Sequence, residues 1–178
     1  MAVKNFRYLG PSVTIFAGKL YQKFKNHLDL YVPMKKREKH LLAVINNCKN
    51  ILRFRIKESR YYEDKDHAWH QETEKQFAKY KDDIDIYVFE IRPPVNLTNS
   101  RKKNKFQFVI VPTDELLERV KLKEPDKNRK YNFYFRFVDD DILREVRENK
   151  SIVDSNPNNF NYSEYLNAWD LIRKKGKF

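Results

Sequence analysis

The chain has 178 residues, of which 40% are hydrophobic and 15% aromatic, and it carries a formal net charge of +12. This length and composition predict one domain, residues 1–178, with a real hydrophobic core. The three glycines are too few for a glycine-rich phosphate loop or a dinucleotide-binding fingerprint. The single cysteine, Cys48, argues against a disulfide framework or a zinc ribbon, so we expect a cytoplasmic protein. Neither a membrane-length apolar run nor a signal-peptide core is visible, and no membrane partner is expected.

The first predicted element is a helix that begins at Pro11 and runs to about His27. Its apolar residues recur at spacings of three and four: Val13, Phe16, Ala17, Leu20, Tyr21 and Phe24. Two strands are predicted next, at residues 30–34 and 41–45. A polar turn at residues 46–50 follows them.

A third strand is predicted at residues 51–57, where apolar Leu52, Phe54 and Ile56 alternate with basic Arg53, Arg55 and Lys57. One face of this strand is therefore predicted to be a ladder of cations. Residues 19–60 hold 12 Lys or Arg against three acidic residues, whereas residues 61–178 hold 23 against 22. Like charges on one face cost stability unless an anion meets them, and a polyanion that releases counterions is such a partner. A solvated basic face is the alternative.

The rest of the chain predicts further helices and strands. We expect a helix at residues 68–80, strands at 84–91 and 106–111, and a helix from Thr113. The alternating aromatic segment 131–138 predicts a strand at a sheet edge. A helix at 142–148, a linker at 155–161 and a short helix at 163–173 complete the chain. The predicted core thus spans residues 10–138, and a C-terminal helical extension covers 139–178.

Two groups of residues raise the question of a metal site. Three adjacent carboxylates, residues 139–141, are better explained as a cap of the predicted helix, since neighbouring side chains do not all face one ion. His67 and His70 lie three residues apart on the predicted helix and suggest a transition-metal site with His40. Surface histidines near a helix start are the simpler interpretation.

The order of the elements over about residues 10–122 resembles the core of the PD-(D/E)XK nuclease superfamily. The matching segments are Tyr31-Val32-Pro33, His40-Leu41-Leu42-Ala43-Val44 and Arg55-Ile56-Lys57, with residues 83–89 and 106–112 similar to that group's later strands. The resemblance implies an α/β fold with a mixed β-sheet flanked by helices, a restriction-endonuclease-like core.

The chemistry that the resemblance implies is altered at several positions. In that family, an aspartate on the second strand and an acid on the third hold Mg²⁺, and a lysine positions or deprotonates the attacking water. The matching positions here are His40, Arg55 and Lys57, and a helix-one glutamate of some members falls near Thr14. The resemblance therefore implies a catalytically degenerate relative of a restriction or defence nuclease, with no cofactor expected.

A second hypothesis keeps the enzyme active. Some family members carry the third-strand acid on the following helix, which is where Glu72 is predicted to lie. Glu38 replaces the missing aspartate if the strand register shifts by two residues, which keeps the side chain on the same face. Glu38, Glu72 and Lys57 would then be the catalytic residues of a Mg²⁺-dependent DNA endonuclease.

The leading hypothesis is a protein that binds double-stranded DNA, with a second protein subunit or a second copy of itself as a further partner. Its expected phosphate contacts are basic residues of the strand region and of a downstream loop: Lys35, Lys36, Arg37, Arg53, Arg55, Lys57, Arg101, Lys102, Lys103 and Lys105. A third hypothesis is a non-catalytic interaction scaffold that uses exposed aromatic residues: Tyr131, Phe133, Phe135 and Trp169.

Overall fold

The computed structural model describes residues 10–31, 40–45, 50–59, 67–91, 106–139, 142–148 and 150–178. The helices in these ranges are α1 (Pro11–Phe24), α2 (Glu74–Tyr80), α3 (Thr113–Val120), α4 (Lys150–Ser155) and α5 (Trp169–Gly176), with one 3₁₀ turn at Ser163–Tyr165. The strands are β1 (Leu28–Tyr31), β2 (His40–Ile45), β3 (Ile51–Lys57), β4 (His67–Thr73), β5 (Ile86–Ile91), β6 (Gln107–Pro112), β7 (Lys130–Asp139) and β8 (Ile142–Glu145). No helix in these ranges is long and apolar enough to cross a membrane. Residues 46–49 of the predicted turn, with Cys48, lie outside the described residues.

The strands form two sheets. Sheet A has five strands in the order β1-β2-β3-β5-β6, and sheet B has three in the order β4-β7-β8. Sheet A is mixed, because β3 and β5 run parallel while its other neighbours are antiparallel. The predicted order of helix, three strands, helix, two strands and helix is confirmed, with β4 as an additional strand before α2.

Helices α1 and α5 cover one face of sheet A. Proline fits the first turn of α1 because that turn needs no N–H donor. Phe16, Leu20 and Phe24 follow at spacings of four and bury one stripe of the helix against the apolar residues of β3. Ile172 of α5 joins the same cluster.

Sheet B and α3 cover the opposite face of sheet A. Phe89 of β5 and Val111 of β6 pack against Phe133 and Phe135 of β7, and Leu116 of α3 closes the cluster. Sheet A therefore lies between helices on one side and a second sheet with a helix on the other. The expected α/β class, a mixed sheet flanked by helices, is confirmed.

The predicted helix at residues 68–80 is wrong in its first half. Residues 67–73 form β4, and α2 begins only after Thr73, whose hydroxyl accepts the Gln76 N–H in a capping box. Alternate residues of β4 turn inward, but two of them are the polar residues His70 and Glu72. These polar inner positions hide the period-two pattern by which a strand is recognised.

Three expectations for the second half also need correction. β7 is the central strand of sheet B and not an edge strand. The predicted helix at 142–148 is wrong: its first residues form β8, where Leu143 and Glu145 alternate inward. The predicted helix at 163–173 begins as a 3₁₀ turn, and the α-helical part starts at Trp169.

Candidate functional site

A buried group of charged residues lies between the two sheets. Arg55 and Lys57 occupy alternate positions of β3 and face sheet B, while Glu72 lies on the inner side of β4. His40 of β2 pairs with Arg55 in the register of sheet A, and Tyr80 ends α2 above them. We call these five residues the Arg55–Glu72 cluster. Its members come from two strands of one sheet, one strand of the other and a helix end.

The Arg55 guanidinium donates hydrogen bonds to both carboxylate oxygens of Glu72. Arg55 Nε donates to Glu72 Oε2 over 2.7 Å, and Nη2 donates to Oε1 over 2.8 Å. This is the bidentate geometry that makes arginine–carboxylate pairs specific. Lys57 Nζ lies 3.1 Å from Glu72 Oε2. The Glu72 side chain is 1% exposed and that of Arg55 7%, so the pair is shielded from water.

Aromatic rings surround the guanidinium. The Tyr80 ring centroid lies 4.5 Å from Arg55 Cζ, a cation–π contact, and its edge meets His40 at 4.8 Å between centroids. Arg55 Nη1 lies 3.3 Å from His40 Nε2, and because a guanidinium only donates, the imidazole nitrogen accepts. The Tyr87 hydroxyl is buried without a hydrogen-bond partner among the described residues, and its burial raises its pKa.

One carboxylate balances two cations in this cluster. Burial works to lower the pKa of Arg55, but the hydrogen bonds and charge of Glu72 outweigh it, so the pKa lies above its ordinary value. Lys57 keeps 19% of its side chain exposed, more than Arg55 or Glu72. The cluster therefore carries an excess positive charge at the exposed end of the β3 face.

The three basic residues of β3 differ in exposure. They share the face predicted from the alternation, but Arg53 is exposed, Lys57 is partly buried and Arg55 is buried. Arg55 is buried and paired with Glu72, so the expectation that it forms part of a surface ladder of cations is wrong. Burial follows from β4, which the sequence did not predict and which covers this end of β3.

The structure places the other predicted site residues as follows. Glu72 lies on β4 and not on a helix, yet it does meet Lys57. Thr14 lies within α1, where its hydroxyl donates to the Gly10 carbonyl. His67 and His70 are on a strand, so the proposed helical histidine pair is also wrong. Glu38 and the basic residues 35–37 and 101–105 lie outside the described residues.

The donor set of the cluster does not suit a hard metal ion as it stands. Mg²⁺ requires carboxylate or carbonyl oxygens with open lone pairs, and both Glu72 oxygens are held by cations. Among the described residues, no group of three or more His, Cys, Asp or Glu side chains is placed to hold a metal ion. Residue 139 is the one member of the acidic triplet in those ranges.

Sequence reasoning missed a second polar group on the far side of sheet A. The buried Glu90 of β5 accepts a hydrogen bond from Ser12 at the start of α1, through Oγ and Oε2. Its backbone carbonyl lies 2.9 Å from Nε2 of the buried His70, reached from sheet B. Burial, helped by the charge of Lys57, lowers the pKa of His70 to about 3. These residues are too far apart in the chain to form a motif.

Comparisons with known proteins give little beyond this geometry. No protein-family model matches the chain, and no curated protein matches its sequence. A solved structure, that of the bacterial homing endonuclease I-Ssp6803I, aligns with 93% of this chain and 91% of its own. The TM-score is 0.49 and the sequence identity 15%. The function must therefore be argued from the chain's own residues.

Proposed function

We propose that this protein binds double-stranded DNA through the basic residues of β3 and of segment 35–37, without cutting it. The observation that most directly supports this is the pairing of Glu72 with Arg55 and Lys57. One carboxylate is shared by two cations, and both of its oxygens are occupied. The site thus favours an additional anion over a metal cation.

The charge around the cluster supports the same conclusion. Arg53 is exposed on the face of β3 that carries Arg55 and Lys57. Residues 19–60 hold 12 basic residues against three acidic ones, and residues 35–37 of that segment are all basic. Phosphate contacts of this kind position a duplex and contribute little sequence specificity.

The chemistry of His40, Arg55 and Glu72 is the reason why we propose that the protein does not cleave DNA. A nuclease of the resembled family needs carboxylates at the positions of His40 and Arg55 to hold Mg²⁺. Here those positions hold His40 and Arg55, and the His40 imidazole nitrogen accepts a hydrogen bond from the Arg55 guanidinium. For Glu72 to bind a metal, it would first have to leave Arg55, which would strand a buried cation.

Salt-dependent binding of a labelled duplex tests the proposal. We expect the logarithm of the binding constant to fall linearly with the logarithm of salt concentration, and Arg53→Ala to make the slope shallower by about 0.9 for one lost phosphate contact. Lys127→Ala is the matched control, because Lys127 is also exposed but lies before β7, away from β3. A Lys35, Lys36, Arg37 triple-alanine variant extends the test to the preceding segment.

Two results would refute this proposal. One is a wild-type protein that fails to bind the duplex even at low salt. The other is an equal change of slope for Arg53→Ala and Lys127→Ala, which would indicate general charge attraction without a defined surface. EDTA is kept in all samples, so that cleavage does not distort the binding curves.

An active Mg²⁺-dependent endonuclease is the second candidate, and one observation favours it. Glu72 and Lys57, two of the three predicted catalytic residues, lie 3.1 Å apart. If Glu38 completes the site, Mg²⁺ should yield cut duplex, and Lys57→Ala should abolish the cutting while the protein stays folded by circular dichroism. Equal cutting by wild type and Lys57→Ala would remove that role for Lys57.

The interaction-scaffold hypothesis loses the surface it was based on. Phe133 and Phe135 belong to β7 and are buried in the core between the two sheets. Trp169 is buried where α5 packs against α1. Tyr131 is partly buried and packs against Phe77. These four aromatic residues stabilise the fold and do not form an exposed patch.

A further inference from the structure

Sheet B has an outer face that points away from sheet A. Phe133 and Phe135 of β7 pack toward sheet A, as does Leu143 of β8, so their neighbours along each strand face outward. This outer face carries aromatic and aliphatic side chains beside three arginines. We call six of its residues the sheet B platform: Trp69, Tyr134, Arg136, Arg144, Val146 and Arg147.

One row of the platform is aromatic and aliphatic. Trp69 of β4 is the direct partner of Tyr134 of β7, and their rings stack with centroids 5.9 Å apart and planes within 9° of each other. Val146 follows β8, and its N–H donates to the Tyr134 carbonyl over 2.9 Å. The Val146 side chain is 41% exposed, and both rings are partly exposed. A partner that covers this apolar area gains the free energy of removing it from water.

The orientation of the Trp69 indole is fixed within the sheet. Its Nε1 donates to Asn132 Oδ1 over 3.0 Å, and the same oxygen accepts from Gln71 Nε2 over 2.7 Å. Asn132 is buried, and its Nδ2 donates to Asp126 Oδ2 over 3.1 Å. A ring that is already held in place loses little conformational freedom when a planar group stacks on it.

The second row of the platform is cationic. Arg136 of β7 lies directly opposite Arg144 of β8, and like charges in such a pair cost stability. Arg147 adds a third guanidinium, whose Cζ lies 5.8 Å from the Tyr134 ring centroid in a cation–π contact. Arginine is suited to phosphate, because its planar group offers several donors at once. An anion that lies across this row offsets the repulsion between the two paired arginines.

The acidic residues near the platform lie at its borders or point away from it. Asp126 precedes β7 and Asp139 is the last residue of that strand. The hydrogen bond from Asn132, helped by the charge of Arg147, holds the pKa of Asp126 below its ordinary value. Glu145 of β8 is buried on the inner side of sheet B. The centre of the platform is therefore cationic.

The outer edge of β8 is already occupied by the chain itself. The Glu145 N–H donates to the Phe160 carbonyl over 2.9 Å, and the Tyr162 N–H donates to the Leu143 carbonyl over 2.8 Å. These bonds take the place that an added strand would need. A partner of the platform must therefore lie on the face of sheet B and contact its side chains.

We propose that the sheet B platform binds single-stranded nucleic acid, with bases against the Trp69 row and phosphates at the three arginines. A single strand fits both rows, because its bases are free to stack on rings while its backbone meets the cations. A duplex is a poorer fit, since its bases are already stacked on one another and its phosphates face outward. The proposal goes beyond the duplex binding proposed for β3 and does not depend on it, because β3 belongs to sheet A.

Fluorescence titration of the full chain with a thymidine oligonucleotide, in EDTA at low salt, tests the aromatic row. A base that stacks on an indole quenches its emission, and Trp69 is one of two tryptophans in the chain. Trp69→Phe should abolish the quenching, because the remaining Trp169 is buried on the α1 side of sheet A. A uridine oligonucleotide of the same length is the second probe. Quenching by either strand supports the proposal, and the stronger of the two identifies DNA or RNA as the preferred ligand.

Arg147→Gln tests the cationic row, and its fold should not be at risk because Arg147 is exposed. With a labelled single strand, we expect binding to weaken several-fold and the slope of log binding constant against log salt to become shallower by about 0.7, the value for one lost phosphate contact. Arg173→Gln is the matched control, because Arg173 is an exposed arginine of α5, on the other side of sheet A. The control should bind as the wild type does.

Several results would overturn the proposal: no binding of either single strand at low salt, equal quenching in wild type and Trp69→Phe, or equal salt slopes for Arg147→Gln and Arg173→Gln. Single-strand binding that is weakened by Arg53→Ala and not by Arg147→Gln would assign the strand to β3 and refute the platform as well. A blunt duplex reports on β3 separately, and Arg147→Gln should leave its binding unchanged. Failure of one surface is therefore distinguishable from failure of the other.

Discussion

Replacement of Arg55 by methionine is the sharpest test of the Arg55–Glu72 cluster. It removes two charge-assisted hydrogen bonds, of 2.7 and 2.8 Å, from a carboxylate that is 1% exposed. Removing one partner of a buried ion pair costs about 3–5 kcal/mol. Lys57 still lies 3.1 Å from Glu72, so we expect the lower end, about 3 kcal/mol in the free energy of unfolding. For a chain of this size that corresponds to a fall in Tm of roughly 6–12 °C.

Urea unfolding followed by tryptophan fluorescence measures this cost. Arg53→Met is the matched control, since Arg53 is an exposed arginine on the same strand and should change stability by under about 0.5 kcal/mol. The double variant Arg55→Met, Glu72→Met removes both charges together and should recover much of the loss, because neither charge is then left stranded. Equal costs for Arg53→Met and Arg55→Met, or single costs that simply add in the double variant, would refute the reasoning.

Other consequences of the buried polar groups are measurable in the same way. The pKa of His70 is lowered to about 3, so near pH 5 only the unfolded chain binds a proton at this residue. The free energy of unfolding should therefore be at its full value above about pH 6.5 and lower by about 2 kcal/mol at pH 5, measured relative to His70→Gln. Equal pH profiles of the two proteins would contradict this. Lys123→Met leaves the buried Glu145 without the ammonium that lies 2.6 Å away, and it should lower the free energy of unfolding in urea by about 3–5 kcal/mol. Lys121→Met is the control, because Lys121 pairs with Glu118 at the surface and its loss should cost under about 1 kcal/mol. Tyr87→Phe removes a buried hydroxyl that has no hydrogen-bond partner among the described residues, and it should leave Tm unchanged or raise it. A clear fall would reveal a partner for that hydroxyl.

Elements with apolar periodicity were predictable from the sequence. Strand β3 has the predicted bounds, and α1 begins at the predicted Pro11, because their apolar residues keep a constant spacing. Strand β4 was not predictable in this way, since two of its inner positions are His70 and Glu72. Glu72 pairs with Arg55, and His70 Nε2 contacts the Glu90 carbonyl; both partners are far away in the chain, where a local pattern does not show them.

The candidate site was predictable in its parts but not in its arrangement. The contact of Lys57 with Glu72 was expected, although from a helix and not from a strand. The pairing of Arg55 with Glu72 was not expected, because Arg55 was assigned to a solvent-facing ladder. Its burial depends on sheet B, and the packing of one sheet against another leaves no periodic mark on β3 itself.

Arg55 and Glu72 depend on each other, and this dependence makes a final prediction. Glutamate at position 55 would place a second carboxylate beside Glu72 and leave Lys57 as the cation next to both. Two close carboxylates repel one another, and a divalent ion relieves that repulsion. Arg55→Glu should therefore be unstable without metal and stabilised by Mg²⁺. With a dissociation constant of about 1 mM, 10 mM Mg²⁺ contributes about 1.4 kcal/mol, or roughly 3–6 °C in Tm.

Thermal unfolding with and without Mg²⁺ measures this effect in wild type, Arg55→Glu and Arg53→Glu. The last variant has the same change of charge at an exposed position and controls for screening by the salt. An increase in Tm confined to Arg55→Glu would indicate that carboxylates at positions 55 and 72 share a divalent ion. Equal increases in all three proteins would show that Mg²⁺ acts through general screening and not through an ion shared by positions 55 and 72.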